Sequence, residues 1–327
     1  MHILTAAAPE PLSRSTPSQR PPVRVALIQH RWREDVAELE KVLRDGIDRA
    51  AGAGARVVFL PEITRLRYPA DVPAGPNPGA RAEPLEGGPT FEFAAEAARA
   101  NGIFVHASLY EHAQGDDGLG YNTAILVSPT GELVGRTRKL HIPISAGYYE
   151  DTYFRPGPGD ADPYPVYAPE GLGARIGMPT CWDEWFPEVA RSYSLGGAEI
   201  VVYPTAIGSE PKFPAFDTQP LWQQVIVANG INSGLFMVVP NRTGDEGALS
   251  FYGSSFISDP YGRVLVQAPR DEEAILVADL DLDQRRDWLE LFPFLLTRRP
   301  DTYEELTVPV DVAHPYGAGH AATAVVK

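Results

Sequence analysis

Cys181 is the single cysteine in 327 residues, so no intramolecular disulfide can form. Zinc ribbons and iron–sulfur clusters are excluded by the same count. The segment ARIGMPTCWDEWFPEVARSYSLGGAEIVVYPT reads as strand, tight turn, helix and strand, with the thiol at the first strand-to-helix junction. Such a turn lifts a side chain out of a sheet, and the helix N-terminus is expected to favour thiolate. The N–H that follows, on Trp182, is then free to bind a developing oxyanion.

A thiol with a pKa near about 8.5 needs a base or a positive field to attack at neutral pH. Glu62 offers the base: it follows the apolar run VVFLP, just past the carboxyl end of a buried strand, where ligand sites gather in α/β sheets. Lys139 offers the positive field. Lys41, Lys139, Lys212 and Lys327 are the only lysines, so 24 of the 28 basic residues are arginine. Lys139 follows Arg136 and Arg138 in a strand-like run, and a compact ammonium there does what a guanidinium fork cannot.

These three residues need elements to hold them. Residues 23–28 and 56–60 read as buried strands, and Val36, Leu39, Leu43, Ile47 and Ala50 mark an amphipathic helix between them. A helix over 89–100 opens with Pro89, and a strand over 103–110 follows. Residues 123–127 and 133–137 form a hairpin around SPTG. The pattern then repeats: strand 174–178, helix 184–195, strand 199–203, helix 220–232, strand 235–239, and a hairpin of 253–258 with 263–267 around DPYG. Two similar βαβ-plus-hairpin halves point to an α/β sheet-on-sheet core with helices outside.

The net charge of −15 (28 basic against 43 acidic residues) disfavours nucleic acid and anionic lipid as partners. No apolar run approaches the roughly 18 residues of a membrane span. Residues 1–22 read as a flexible N-terminal arm, 23–300 as one domain, and 301–327 as a tail, either loose or ordering at a subunit interface. A cytoplasmic location is the expectation.

The segments LPE (60–62), RKLHIP (138–143), CWDEWFPEVAR (181–191), YPTAIGSEP (203–211), NR (241–242) and FYGSSFI (251–257) occur in an order that resembles the nitrilase superfamily of carbon–nitrogen hydrolases. Within it they look most like N-carbamoylputrescine amidases and bacterial N-carbamoyl-β-alanine amidohydrolases. The resemblance implies a four-layer αββα sandwich, a homodimer or homotetramer, a small-molecule substrate, and no metal or organic cofactor. It implies a Glu62–Lys139–Cys181 triad, with Glu150 as a second glutamate hydrogen-bonded to Lys139. The expected substrate-binding residues are Trp182, Tyr203, Thr205, Ala206 and Glu210, together with Arg65, Arg67 and His141. Arg65 or Arg67 facing the pocket would favour an anionic substrate tail, whereas Glu210 matches a position that meets a substrate amine. His141 either lines the site or holds it in shape.

The expected activity is cysteine-dependent amidohydrolysis of an N-carbamoyl or simple amide substrate, with ammonia released. Two rivals stay open: a true nitrilase, and a catalytically silent homologue used for binding or assembly.

Overall fold

The computed structural model describes residues 1–159 and 162–317. The first half runs β1 (His2–Ala6), β2 (Val23–Gln29), α1 (Val36–Gly52), β3 (Val57–Phe59), α2 (Pro89–Asn101), β4 (Phe104–Glu111), β5 (Tyr121–Val127) and β6 (Leu133–Arg138). The second runs β7 (Val166–Tyr167), β8 (Ile176–Gly177), α3 (Pro187–Leu195), β9 (Ile200–Val202), α4 (Gln219–Ser233) and β10 (Phe236–Val239). It continues with β11 (Thr243–Glu246), β12 (Leu249–Tyr252), β13 (Phe256–Ser258), β14 (Val264–Gln267), β15 (Ala274–Leu280) and α5 (Asp283–Leu291).

Strand alternation builds the layers. Val25, Leu27, Val57 and Phe59 point to one side and pack against Ile176, Ile200, Val202, Phe236 and Val238 of the other sheet. Their neighbours Ala26, Ile28, Val58 and Leu60 point the other way, onto Leu39, Leu43 and Ile47 of α1 and Phe93 of α2. On the far side Val201, Met237 and Val239 pack against Val189 and Tyr193 of α3 and Trp222 and Ile226 of α4. The result is the expected αββα sandwich. Its sheets have the orders β1-β15-β2-β3-β4-β5-β6 and β14-β13-β10-β9-β8-β7, and β11 and β12 pair as a separate hairpin.

That topology places the candidate residues. β3 runs parallel to β4, β4 antiparallel to β5, and β5 antiparallel to β6, so β3 and β6 end at the same sheet edge. Glu62 and Lys139 lie just beyond those two ends. Cys181 follows β8 in the facing sheet.

The N-terminal segment differs from the flexible arm expected of it. Residues 2–6 form β1, a parallel edge strand on β15, with His2 opposite Ala274. Arg14 pairs with Asp281 at 2.7 Å and Asp287 at 2.8 Å, and Arg20 with Asp283 at 3.1 Å. A composition rich in Pro and Ser hides long-range pairing of this kind, in which the acids come from more than 250 residues downstream. At the other end, residues 318–327 of the expected interface tail lie outside the described residues.

Candidate active site

Glu62 is fixed by its own backbone. The next residue, Ile63, holds φ at +46°, an unusual conformation for a β-branched residue, and its N–H donates to Ser108 Oγ at 3.0 Å. Glu62 Oε1 accepts from Lys139 Nζ at 3.0 Å and from Asn122 Nδ2 at 2.7 Å. Glu62 Oε2 is buried without a hydrogen-bond partner among the described residues. One oxygen orients the carboxylate and the other stays open to a proton.

Lys139 Nζ also donates to Glu150 Oε2 at 2.7 Å, the contact expected from the sequence. Tyr68 OH donates to Glu150 Oε1 at 2.8 Å. Lys139 is wholly buried; desolvation opposes its charge, but Glu150, Glu62 and Cys181 together raise its pKa well above that of a free lysine. Of its three N–H donors, two serve the glutamates and one is left for a substrate oxygen.

Cys181 opens a single 3-10 turn, Cys181–Trp185, and α3 begins only at Pro187. The expected thiolate-favouring helix end is therefore one short turn, and the surroundings outweigh it. Burial, Glu62, Glu184 and Glu150 push the thiol pKa well above its ordinary value, against the pull of Lys139. Those surroundings favour the thiol over the thiolate, and the open Glu62 Oε2 is a base that could accept its proton. The Cys181 N–H is donated to Pro204 O at 3.0 Å and that of Asp183 to Thr180 O at 2.7 Å. The Trp182 N–H between them has no partner among the described residues, which suits an oxyanion.

The remaining candidates separate. Arg65 Nε donates to Glu40 of α1 at 2.9 Å. Arg67 Nη1 donates to Asp71 at 3.0 Å and Nη2 to Glu246 O at 2.9 Å. Both guanidinium groups are therefore engaged by the protein, and the structure does not gather them with Cys181. Thr205 is buried with its hydroxyl turned to Pro240 O at 2.9 Å, and Ala206 packs among Tyr68, Tyr148 and Phe251. Tyr203 lies in the cluster that contains Cys181, its hydroxyl unpartnered, and Trp182 lies 6.3 Å from the Trp185 ring. His141 stacks on Phe186 at 3.8 Å and its Nδ1 lies 2.7 Å from Asp183 Oδ1, contacts that suit a residue holding the site in shape. Glu210 is half-buried with no partner for its carboxylate among the described residues, and burial raises its pKa. It acts electrostatically on Tyr148, whose hydroxyl accepts from Gly208 N–H at 3.1 Å.

Sequence reasoning missed Asn122, Tyr68, Asp183 and Arg242. Asn122 joins Glu62 to the Lys139 strand, since its carbonyl also accepts the Lys139 N–H at 2.8 Å. Arg242, fully buried, lies 3.2 Å from Glu246 Oε2 and donates to Leu66 O at 2.6 Å, supporting the loop that follows Glu62. The NR motif marked this arginine, but nothing in the sequence told its role.

The profile of the family described as "Carbon-nitrogen hydrolase" matches residues 24–290. The chain is 33% identical to the citrullinase of Francisella tularensis, over 87% of this chain and 98% of that one. It is also 33% identical to the N-carbamoylputrescine amidase of Arabidopsis thaliana, over 89% and 97%. Among solved structures, a carbon–nitrogen hydrolase from Helicobacter pylori superposes with a TM-score of 0.77 at 27% identity, covering 87% of this chain and 98% of that one. An amidase from Nesterenkonia shares the fold, with a TM-score of 0.69 at 24% identity, over 90% and 100%.

Proposed function

The chain belongs to the carbon–nitrogen hydrolase family, enzymes that cleave C–N bonds other than peptide bonds, and from that premise we propose that it hydrolyses a ureido compound carrying a cationic group at its far end. The observation that carries the tail assignment is the contrast in free charge. Arg65 and Arg67 are tied to Glu40 and Asp71, while the Glu210 carboxylate is unpartnered and half-buried. An ammonium meeting Glu210 gains a partly desolvated ion pair. One relative is named an N-carbamoylputrescine amidase and another a citrullinase, and the first name, that of a carbamoyl compound, is in keeping with this reading.

In this mechanism the Cys181 sulfur attacks the ureido carbonyl carbon while Glu62 Oε2 takes the thiol proton. Lys139 Nζ and the Trp182 N–H stabilise the oxyanion. Glu62 returns the proton to the leaving nitrogen, ammonia departs, and a thioester-like acyl-enzyme remains. Glu62 then takes a proton from water, the hydroxide displaces the Cys181 sulfur, which recovers that proton from Glu62, and the carbamic acid released falls to an amine and CO₂.

The test is ammonia release across carbamoyl-amines, carbamoyl-amino acids, simple amides and nitriles, with Glu210→Ala, Arg65→Ala and Arg67→Ala alongside the parent. Selective loss on ammonium-bearing substrates in Glu210→Ala supports the assignment. Selective loss on anionic substrates in either arginine variant contradicts it, and turnover of nitriles alone would replace it with a nitrilase reading.

A further inference from the structure

Glu184 is an acidic side chain beside Cys181 to which the mechanism gives no work. It sits three residues after the thiol in the 3-10 turn, fully buried, and neither carboxylate oxygen has a hydrogen-bond partner among the described residues. The Trp222 indole N–H lies beside it and stops short of hydrogen-bond geometry. Its main chain is fixed, since Asn229 Nδ2 donates to Glu184 O at 2.9 Å. Its charge would fall on the reacting groups: it raises the Cys181 pKa second only to Glu62 among the carboxylates, and it is itself acted on by Glu62 and Lys139. Tyr203 OH and Tyr252 OH, in the same cluster, are also buried and unpartnered. A polar group buried this way is costly unless something supplies its partner.

We propose that Glu184 is a specificity-determining residue: its carboxyl oxygen accepts the internal N–H of the substrate's ureido group, the donor that a simple amide lacks. This rests on the ureido reading given above. The donor count supports it. A carboxamide R–CH₂–CO–NH₂ brings only its leaving NH₂ to the site, whereas R–NH–CO–NH₂ brings one N–H more on the retained side of the carbonyl. With an amide bound, the Glu184 oxygens stay buried and unpaired; with a ureido compound one of them is satisfied. Sites built to bond a particular N–H or O–H discriminate strongly against the analogue without it. Burial, with Glu62 adding to it, also pushes the Glu184 pKa well above the ordinary carboxylate value.

The experiment compares kcat/KM for a carbamoyl-alkylamine and its carbon isostere, the alkanamide of equal length, in the full-length enzyme and in Glu184→Leu and Glu184→Gln. Leucine keeps the bulk and removes the acceptor; glutamine keeps an acceptor oxygen without a carboxyl. The expected result is a ureido-to-amide ratio reduced about tenfold or more in Glu184→Leu and largely retained in Glu184→Gln. Should the leucine variant not fold, Glu184→Met takes its place. A ratio unchanged in the acceptor-free variant overturns the proposal and leaves the ureido reading intact. Loss of the ratio in both variants also overturns it, because the carboxyl rather than an acceptor would then be what matters. A parent enzyme that turns over amides and no ureido compound overturns the functional reading and this proposal together.

Discussion

Asp183 holds His141 at two points: its Oδ1 accepts the His141 main-chain N–H at 3.0 Å and lies 2.7 Å from His141 Nδ1. Its other oxygen accepts the Thr180 N–H at 3.0 Å. One buried carboxylate therefore ties the loop after Lys139 to the turn that presents Cys181, joining the two sheets' contributions to the site.

Asp183→Ala should loosen both at once. Three N–H groups lose an anionic acceptor, each bond worth about 1.5–3 kcal/mol of stability. Ammonia release should fall by more than the folded fraction accounts for, because Lys139 and Cys181 lose register. Urea denaturation beside steady-state rates checks this; a variant as stable and active as the parent would refute the clamp.

Lys139→Ala leaves Glu62 and Glu150 buried with no ammonium between them. Removing one partner from a buried ion pair costs about 3–5 kcal/mol, and activity should be lost with it. Lys139→Arg should fail as well, since a planar fork does not reproduce a point charge in a space this closed. Denaturation midpoints and ammonia release read the outcome, and an active arginine variant would count against the assigned role.

How much of this was legible in the sequence follows from the range of each interaction. Glu62, Lys139 and Cys181 announce themselves locally, as charged or reactive side chains at the ends of apolar strands. The two halves show in the recurrence of strand, helix and hairpin. Asn122 could not be found the same way, because its contact with Glu62 spans 60 residues and depends on β3, β4 and β5 standing side by side. Arg65 looked available to a substrate because Glu40, its partner on α1, is 25 residues away. The N-terminal arm looked loose for the same reason: its acids are near the other end of the chain. The strand β15, between β1 and β2, has no local signal of its own, although its apolar run is plain once β2 lies beside it.

Glu150 supplies a pH signature. Burial raises its pKa, Lys139 pulls it back, Glu62 pushes it up again, and it comes to about 7 from an ordinary 4.5. The folded protein thus keeps a proton that the unfolded chain has lost. The stabilisation from this group is complete below about pH 4.5 and is lost as pH rises through about 7. Over that window the stability of the parent should fall relative to Glu150→Gln, measured as urea midpoints. Parallel curves would contradict the raised value.

The thiol offers a second. Because burial, Glu62 and Glu184 hold the Cys181 pKa well up, alkylation of the free enzyme by a small neutral reagent should be slow at neutral pH. It should still be climbing at about pH 9. A rate that levels off below about pH 8 would mean a preformed thiolate, and Glu62 would then not be needed to receive its proton.

The mechanism depends first on Cys181 as nucleophile, and the measurement that tests this is ammonia release from a carbamoyl-amine by Cys181→Ala. The expected result is a loss of at least about a thousandfold with the thermal unfolding transition intact. Turnover near the parent rate in that variant would contradict the mechanism.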